Sequence, residues 1–313
     1  MNTQVRTNSP AAKRQPMDVY KEVTKRIVLR LADGDIPWRK PWNAPFKEDI
    51  INYKSRKPYN GINRFILSQP GEYMTFNQCK EAGGHIVKGA KGNLIVKYGF
   101  FVPKEDKQKA EQLKKEGKDI SHLEIPYLRH DYVYHISQTE GVKSLCPEGE
   151  ARPAQNPVDL ADFVIDECCR SMGIVLNATK VDHCSYDNDD RIITVPTKEQ
   201  FRTEEEWYDR VFALLVQASV EDSRPAKATE AAKINQVKEE LIIEIGASMM
   251  LNAVGLTRQE AAENTQAKCQ EWIAQMNRDT RLIVSASSQA EKIARELTSP
   301  LFGEKDNDNE DDE

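Results

Sequence analysis

The chain has 313 residues, of which 39% are hydrophobic and 30% are charged, and its formal net charge at pH 7 is -6. This length suits about two domains, and no apolar run approaches the ~20 residues that a membrane-spanning helix needs. The six cysteines form no Cys-x-x-Cys pair, which argues against a zinc knuckle or a disulfide framework. We therefore expect a cytoplasmic protein without a cofactor, preceded by a disordered lead-in at residues 1–16 that lacks the apolar core of a signal peptide.

Charge is distributed unevenly along the chain. Residues 17–145 contain 23 Lys and Arg against 16 Asp and Glu, whereas residues 146–313 contain 18 against 34. A positive surface attracts polyanions and a negative one repels them. The sequence therefore predicts a polyanionic partner for the first half and not for the second.

The first predicted element is a helix over residues 17–32 that ends at Asp33-Gly34, with an apolar stripe formed by Val19, Val23, Ile27 and Leu31. After a connector, residues 59–63 predict a turn into a short helix, and residues 75–78 resemble a capping box that opens another helix.

A turn of glycines and lysines at 88–92 precedes a predicted strand at 94–102, and a second strand is predicted at 132–137. The Lys- and Glu-rich residues 103–124 between them indicate a solvated helical insertion.

Residues 146–157 have the composition of a linker, and we place the domain boundary there. A helix is predicted from Asn156-Pro157, followed by a strand at 174–177 and a hairpin around an Asp/Asn turn at 185–196. A second capping box, at Thr203 and Glu206, opens the next helix. Later elements are helices at roughly 229–253, 257–275 and 281–297, and an acidic, disordered tail at 301–313.

The predicted fold class is α+β. A small mixed domain over 17–145 is followed by a mostly helical domain over 158–300 that carries a short β-hairpin or sheet.

Basic and aromatic residues are interleaved in the connector DIPWRKPWN at 35–43 and again in YKSRKPYN at 53–60. Single-stranded nucleic acid is bound by cations that follow the phosphates and by aromatic faces on which unpaired bases stack. In KGAKG, at 88–92, glycines beside two lysines would let a phosphate approach the backbone amides. The predicted nucleic-acid-binding residues are Trp38, Arg39, Lys40, Trp42, Asn43, Tyr53, Arg56, Lys57, Tyr59, Asn60, Asn63, Lys88 and Lys91.

Within this set, the Trp and Tyr side chains are predicted to stack on bases and the Arg and Lys side chains to contact phosphates. Two alternatives stay open. In the first, the tryptophans close a small core and do not bind DNA. In the second, KGAKG is a plain β-turn with solvated lysines.

The serial order of several motifs is more specific than any one of them. In the first half these are Trp38, Trp42, residues 59–63, Thr75-Phe76, residues 83–92 and Tyr132-Val133-Tyr134. Downstream they are Tyr186, Ile193, Pro196, Phe201, Trp207-Tyr208, Glu239-Glu240-Leu241, residues 244–247 and Trp272. This order resembles ArdC-type antirestriction proteins, in which a single-stranded-DNA-binding domain precedes a zincin-like metallopeptidase domain.

The resemblance implies an H-E-x-x-H motif on the helix after the hairpin, where two histidines bind Zn²⁺ and the glutamate acts as general base. The corresponding window here reads Ala213-Leu214-Leu215-Val216-Gln217, and no histidine follows His183. The resemblance implies that Glu240 or Glu244 corresponds to the acidic third ligand of the family. Alternatively, these glutamates belong to a solvated or salt-bridged helix face. We therefore expect no catalytic residue, no metal ligand and no enzymatic activity.

Other candidate sites are weaker. His130 and His135 are five residues apart, which places them on opposite faces of a strand. Asp187, with its acidic neighbours, lacks the glycine and distal glutamate of a calcium loop and suits a turn better. Cys168-Cys169 is expected to be a pair of buried thiols.

These observations predict a cytoplasmic protein of a mobile element, such as a plasmid or phage, or of its bacterial host. Its first domain would bind single-stranded DNA, and its second, a pseudo-peptidase, would contact a protein partner. The resemblance implies protection of incoming DNA from restriction. The alternatives are a zinc metallopeptidase with atypical ligands and a protein-interaction module whose acidic half mimics DNA.

Overall fold

The computed structural model describes residues 17–39, 50–59, 61–67, 69–115, 120, 123, 125–146, 156–223, 236–256 and 265–302. The predicted disordered lead-in, nearly all of the predicted linker and nearly all of the acidic tail lie outside these residues. No helix within the described ranges is long and apolar enough to cross a bilayer.

Helix α1 (Val19–Ala32) begins after Asp18, whose carboxylate accepts a hydrogen bond from the Lys21 amide at 3.2 Å. The predicted stripe is confirmed, since Val23, Ile27 and Leu31 are buried. The helix ends at Asp33, and Gly34 follows with a φ of 79°, which glycine adopts without strain.

The remaining elements of the first half alternate between short helices and strands. They are β1 (Ile50–Asn52), α2 (Ile62–Ile66), β2 (Gly71–Met74), α3 (Phe76–Glu81), β3 (His85–Ile86), β4 (Asn93–Phe101), α4 (Lys107–Lys115), β5 (Ile125–His135) and β6 (Thr139–Glu140). The first sheet has the strand order β1-β2-β5-β4, in which β1 and β2 are parallel and the other neighbours antiparallel. Strands β3 and β6 form a separate antiparallel pair.

Local signals placed several of these elements correctly. The capping box at α3 is confirmed, because the Thr75 hydroxyl accepts from the Gln78 amide and the Gln78 side chain accepts from the Thr75 amide. Strand β5 begins at Ile125, seven residues earlier than predicted. Its first part contains Pro126, Arg129 and Asp131, so the sequence shows no simple alternation there, and pairing with β4 makes it a strand.

The second half contains α5 (Pro157–Met172), β7 (Val175–Thr179), β8 (Ser185–Asp187), β9 (Ile192–Pro196), α6 (Glu204–Asp222), α7 (Gln236–Val254), α8 (Thr265–Arg278) and α9 (Leu282–Thr298). Strand β9 lies between β7, which is parallel to it, and β8, which is antiparallel. The predicted hairpin turn is confirmed, because the Asp187 carboxylate accepts from the amides of Asp189 and Asp190 at 3.0 and 3.1 Å. The predicted α+β class is confirmed as well.

Alternate residues of β4 point into two hydrophobic cores, as the period of a strand requires. Leu94 and Val96 face the larger core, which combines the stripe of α1 with buried residues of α6, α7, α8 and α9. Ile95 faces a smaller cluster that also contains Tyr73 and Val133. Because the larger core draws on both halves of the chain, the two halves pack directly against each other.

Candidate nucleic-acid interface

Trp38, predicted to stack on DNA, is buried in the larger core. Its side chain is 1% exposed and lies between Phe65 and Trp272, with ring centroids 5.8 and 5.6 Å away. A base can stack only on an accessible ring face. The structure therefore corrects this assignment and places Trp38 in the core, because Trp272 of α8, from the other half of the chain, covers the ring.

Arg39, predicted to contact phosphate, is bound to a carboxylate of the second half. Its Nε and Nη2 atoms donate to Oε1 of Glu244 at 2.8 and 2.6 Å, and both side chains are less than one-fifth exposed. The carbonyl of Trp38 accepts a hydrogen bond from the Ser248 hydroxyl, also on α7. The start of the connector is thus attached to α7, and Arg39 is corrected from a phosphate contact to a partner of Glu244.

Tyr59, a second predicted stacking residue, belongs to the smaller core. It is 9% exposed and packs edge-on against Tyr73 at 6.3 Å, while its hydroxyl accepts a hydrogen bond from Asn52 at 3.1 Å. Burial raises the pKa of Tyr59. Its ring faces are covered, so this assignment is also corrected. Tyr53 is only partly buried and donates its hydroxyl proton to the Lys143 carbonyl at 3.2 Å, and its stacking role stays a prediction.

Two further candidates have structural partners. Arg56 forms an ion pair with Glu72, whose side chain is 2% exposed, and so neutralises a buried carboxylate. Asn63 bonds both backbone groups of Val96, donating to its carbonyl at 2.7 Å and accepting from its amide at 2.8 Å. Asn63 therefore satisfies the free edge of β4, which lies at the end of the sheet. The Asn63 assignment is corrected, because both groups of its side-chain amide are used by Val96. Arg56 is exposed, so its phosphate contact stays a prediction.

Three predicted phosphate contacts, Lys57, Lys88 and Lys91, have exposed side chains. Lys88 lies in a β-turn in which the Ala90 amide donates to the Val87 carbonyl at 3.0 Å and Gly89 has a φ of 89°. This geometry matches the β-turn alternative and leaves the lysines free to meet phosphate. Their contacts stay predictions, as do those of Lys40, Trp42, Asn43 and Asn60, which lie outside the described residues.

Strands β4 and β5 carry exposed aromatic side chains that the predicted set does not include. Tyr132 is 42% exposed and Phe101 is 47% exposed. The signal in the sequence is YLRHDYVYH at 127–135, where aromatic rings or His recur at 130, 132 and 134. The predicted strand at 132–137 covered only part of this pattern.

The window that corresponds to H-E-x-x-H lies on α6. Leu214, Leu215 and Val216 are buried, and Val216 packs so closely on α7 that a Cβ added to Gly246 would lie 3.0 Å from its Cγ1. Gln217 donates to Glu221 at 2.9 Å. Structural or catalytic zinc requires at least three protein ligands from His, Cys, Asp or Glu. The window supplies none of them.

The acidic residues of α7 do not compensate for this loss. Glu244 is paired with Arg39, and Glu240 accepts from Gln236 at 3.2 Å. In the part of the chain that the structure describes, no three His, Cys, Asp or Glu side chains are grouped so as to hold a metal ion. The residues present therefore do not fit a resident zinc ion, and we assign no chemical step to one.

Two other candidate groups from the sequence, His135 and Cys168, have structural partners. His135 is buried, with Nε2 placed 3.0 Å from the Pro70 carbonyl and Nδ1 accepting from the Ser137 amide at 3.2 Å. This arrangement suits a neutral ring with its proton on Nε2, and burial lowers the pKa of His135. Cys168 donates to the Leu297 carbonyl, and burial raises the pKa of its thiol to about 12, so it is not a nucleophile.

Two family models match the chain in succession. The N-terminal domain of the anti-restriction factor ArdC matches residues 17–134, and a zincin-like metallopeptidase domain matches residues 164–289. The separation of the two matches falls in the region where the sequence places its linker.

Curated relatives share both regions at low identity. Two Escherichia coli proteins named DNA primase TraC are each 25% identical over 88% of this chain, which spans only 19% and 26% of their own lengths. An uncharacterised protein, y4eC, of Sinorhizobium fredii is 23% identical, with 89% of this chain and 91% of that protein covered.

Solved structures share the fold. The metal-free antirestriction protein ArdC of plasmid R388 superposes with a TM-score of 0.67 at 24% identity, covering 90% of this chain and 97% of that one. Its Mn(II)-bound form gives 0.66 at 24% identity, covering 93% and 100%. At this identity the superposition shows a common fold for both halves of the chain.

Proposed function

Since this chain is an ArdC-like protein of the antirestriction type, with the ArdC N-terminal domain followed by a zincin-like domain, we propose that it binds single-stranded DNA. The observation that carries the proposal is the coincidence of the ArdC domain, residues 17–134, with the positively charged half of the chain. Lys57, Lys88 and Lys91 are exposed there, as contacts with phosphates require.

We further propose that the zincin-like domain is a pseudo-peptidase. Two observations support this role: the α6 window Ala213–Gln217 lacks every ligand of the motif, and Arg39 supplies a cation to Glu244. Helices α6 and α7 would then serve as a scaffold that supports the DNA-binding half. The surplus of acidic residues in this half suits contact with a protein partner and disfavours contact with DNA.

The biological role proposed for the chain is protection of incoming mobile-element DNA from restriction in the cytoplasm. This role is extended from the antirestriction protein of plasmid R388, which the chain resembles in fold.

A titration of the full-length protein tests the binding proposal. Labelled single-stranded and duplex oligonucleotides of equal length and mixed sequence would be compared by fluorescence anisotropy at several salt concentrations. We expect tighter binding of the single strand and a log–log salt slope of about 0.7 per phosphate contact. Equal or tighter binding of the duplex, or no binding at low salt, would contradict the proposal.

A further inference from the structure

The structure buries Trp38 and Tyr59, two of the four rings that were expected to stack on DNA, so these two do not form the stacking surface if the proposed function holds. Strand β5 supplies a different set of rings. His130, Tyr132 and Tyr134 occupy every second position of the strand and therefore share one face of the sheet. In the pairing of β4 with β5, His130 lies opposite Val96 and Tyr132 lies opposite Leu94. Gly92, two residues before Leu94, is the next position on this face.

Gly92 brings the two tyrosine rings together. A Cβ at this position would lie 3.0 Å from the Cβ of Tyr132 and 3.3 Å from both Cδ1 of Tyr132 and Cζ of Tyr134. A side chain at this position would press against both rings, so glycine lets them rest close to the backbone. Tyr132 is 42% exposed, and Tyr134 is partly exposed. Both rings therefore rest against the backbone and remain accessible to solvent.

Two exposed lysines lie close to Gly92 in the chain. Lys91 precedes Gly92, and Lys88 is at the tip of the preceding β-turn. The turn is fixed to the end of β5, because Gln138 donates to the Lys91 carbonyl at 3.1 Å and accepts from the Val87 amide at 2.9 Å through its own carbonyl. The backbone that carries both exposed lysines is thereby held beside Gly92, against which the two tyrosine rings rest.

Two acidic residues lie near these elements, Asp131 on β5 and Glu140 on β6. Asp131 lies between His130 and Tyr132 in sequence and therefore belongs to the opposite face of the strand. Glu140 of β6 lies 3.0 Å from His85 of β3. We name the surface formed by Lys88, Lys91, Tyr132 and Tyr134 the tyrosine–lysine platform.

We propose that the tyrosine–lysine platform is the site where unpaired bases of single-stranded DNA stack, with the phosphates beside the two lysines. This inference rests on the proposed function and names its binding surface. Alternate residues of a β-strand are about 6.8 Å apart, which is twice the spacing of about 3.4 Å between successive nucleotides in one strand of a duplex. A DNA strand that places one base on each ring must therefore be extended and have unstacked bases. A duplex does not offer such bases.

The other exposed aromatic surface of the sheet is less suited to bases. Tyr127 lies on the opposite face, where one side of its ring meets the backbone of Gly99 and the guanidinium of Arg129 lies 5.4 Å from its centroid. Phe101 meets the same ring edge-on at 5.6 Å. Because its ring already contacts Arg129 and Phe101, Tyr127 provides a matched control on the same strand.

The test compares Tyr132→Leu and Tyr134→Leu with the control Tyr127→Leu in the full-length protein. Leucine keeps an apolar contact with the glycine backbone but removes the aromatic face. We expect each platform variant to weaken binding of a single-stranded oligonucleotide roughly 5- to 150-fold, with the control near the wild type. Tyr132→Phe and Tyr134→Phe retain the ring and should restore affinity.

An oligonucleotide without bases separates stacking from charge. The wild type should bind this abasic strand weakly, and Tyr132→Leu should cause no additional loss on it. If the wild type binds normal single strands but the platform variants do so equally well, the platform is wrong and the proposed function stands. If the wild type binds no single strand at all, both the platform and the proposed function are wrong.

Photo-crosslinking gives a result even if the leucine variants do not fold. The wild-type protein would be irradiated with 5-iodouracil-containing single-stranded DNA and the cross-linked peptides identified by mass spectrometry. Cross-links at Tyr132 or Tyr134 support the platform. Cross-links confined to Tyr127 and Phe101 would overturn it.

Discussion

Arg39 donates two hydrogen bonds to a single carboxylate oxygen of Glu244, at 2.8 and 2.6 Å, and so joins the connector of the first half to α7 of the zincin-like half. Trp38, the preceding residue, is fixed to the same helix through Ser248. A guanidinium therefore neutralises a carboxylate at one of the two positions where the family resemblance predicts a metal ligand. This contact makes the relation between the two halves testable.

We expect Glu244→Gln to lower the free energy of unfolding by about 2–4 kcal/mol, because it removes a carboxylate that is bonded to the largely buried guanidinium of Arg39. Urea denaturation measures the change. In the double variant Arg39→Met/Glu244→Leu both charges are absent, so the loss should be smaller than the sum of the two single losses. Simple additivity would show that the two residues are not energetically coupled.

Trp38→Ala should lower the free energy of unfolding by about 3–5 kcal/mol, because it leaves a cavity between Phe65 and Trp272. The milder Trp38→Phe should fold and bind single-stranded DNA with the affinity of the wild type. Anisotropy titration of the Phe variant checks this. A clear loss of DNA affinity in a folded Trp38→Phe protein would return that ring to the binding site.

Trp42 remains a predicted stacking residue. Trp42→Ala should weaken binding of single strands by about 1–3 kcal/mol without a comparable loss of stability. Titration and thermal unfolding of the same preparation separate the two effects, and unchanged affinity in a folded variant would remove Trp42 from the site.

The double variant Lys88→Gln/Lys91→Gln should reduce the log–log salt slope of binding by about 1.4, since each lost phosphate contact removes about 0.7 on a single strand. Lys180→Gln changes an exposed lysine of the zincin-like half and should leave the slope unchanged. The comparison is made by repeating the titration between low and moderate salt. Equal slopes for all three proteins would exclude both lysines of the platform from phosphate contact.

Added Zn²⁺ or Mn²⁺ should leave the Tm of the protein unchanged, because a ligand shifts Tm only if it binds the folded state preferentially. The variant Ala213→His/Gln217→His places two imidazoles one turn apart on α6, where both native side chains are partly accessible. Zinc is expected to raise the Tm of this variant alone. A metal-dependent rise in the wild type, with stoichiometric metal by elemental analysis, would support the metallopeptidase alternative.

His135 should make stability fall as the pH drops below about 6.5. Burial lowers the pKa of its imidazole in the folded state, so the unfolded chain binds the proton first and stability rises with pH across that window. Protonation would also remove the Nδ1 acceptor of the Ser137 amide. His135→Gln should flatten the pH dependence of Tm between pH 5 and 7, whereas His183→Gln, at an exposed site, should not.

Local signals in the sequence predicted much of the secondary structure. The stripe of α1, the capping box at Thr75 and the Asp187 turn each depend on residues within a few positions of one another. The missing zinc ligands at 213–217 were also readable directly, because a window without His, Cys, Asp or Glu supplies none of the usual zinc ligands wherever it packs.

The candidate binding residues were harder to predict because their availability depends on distant partners. Trp38, Arg39 and Asn63 have the side chains of a DNA-binding surface. Their contacts, however, are Trp272, Glu244 and the backbone of Val96. No pattern near residue 38 indicates that a ring of α8 will cover it.

The sequence alone therefore determined the helices and most of the strands, the opposite charge of the two halves and the lack of a zinc motif, because these follow from residue identity and short-range spacing. Tertiary structure alone decided which aromatic and basic side chains remain accessible. Burial of a ring or pairing of a guanidinium is set by packing between elements far apart in the chain. The two halves of this protein share a core that buries Trp38, whereas Tyr132 remains exposed.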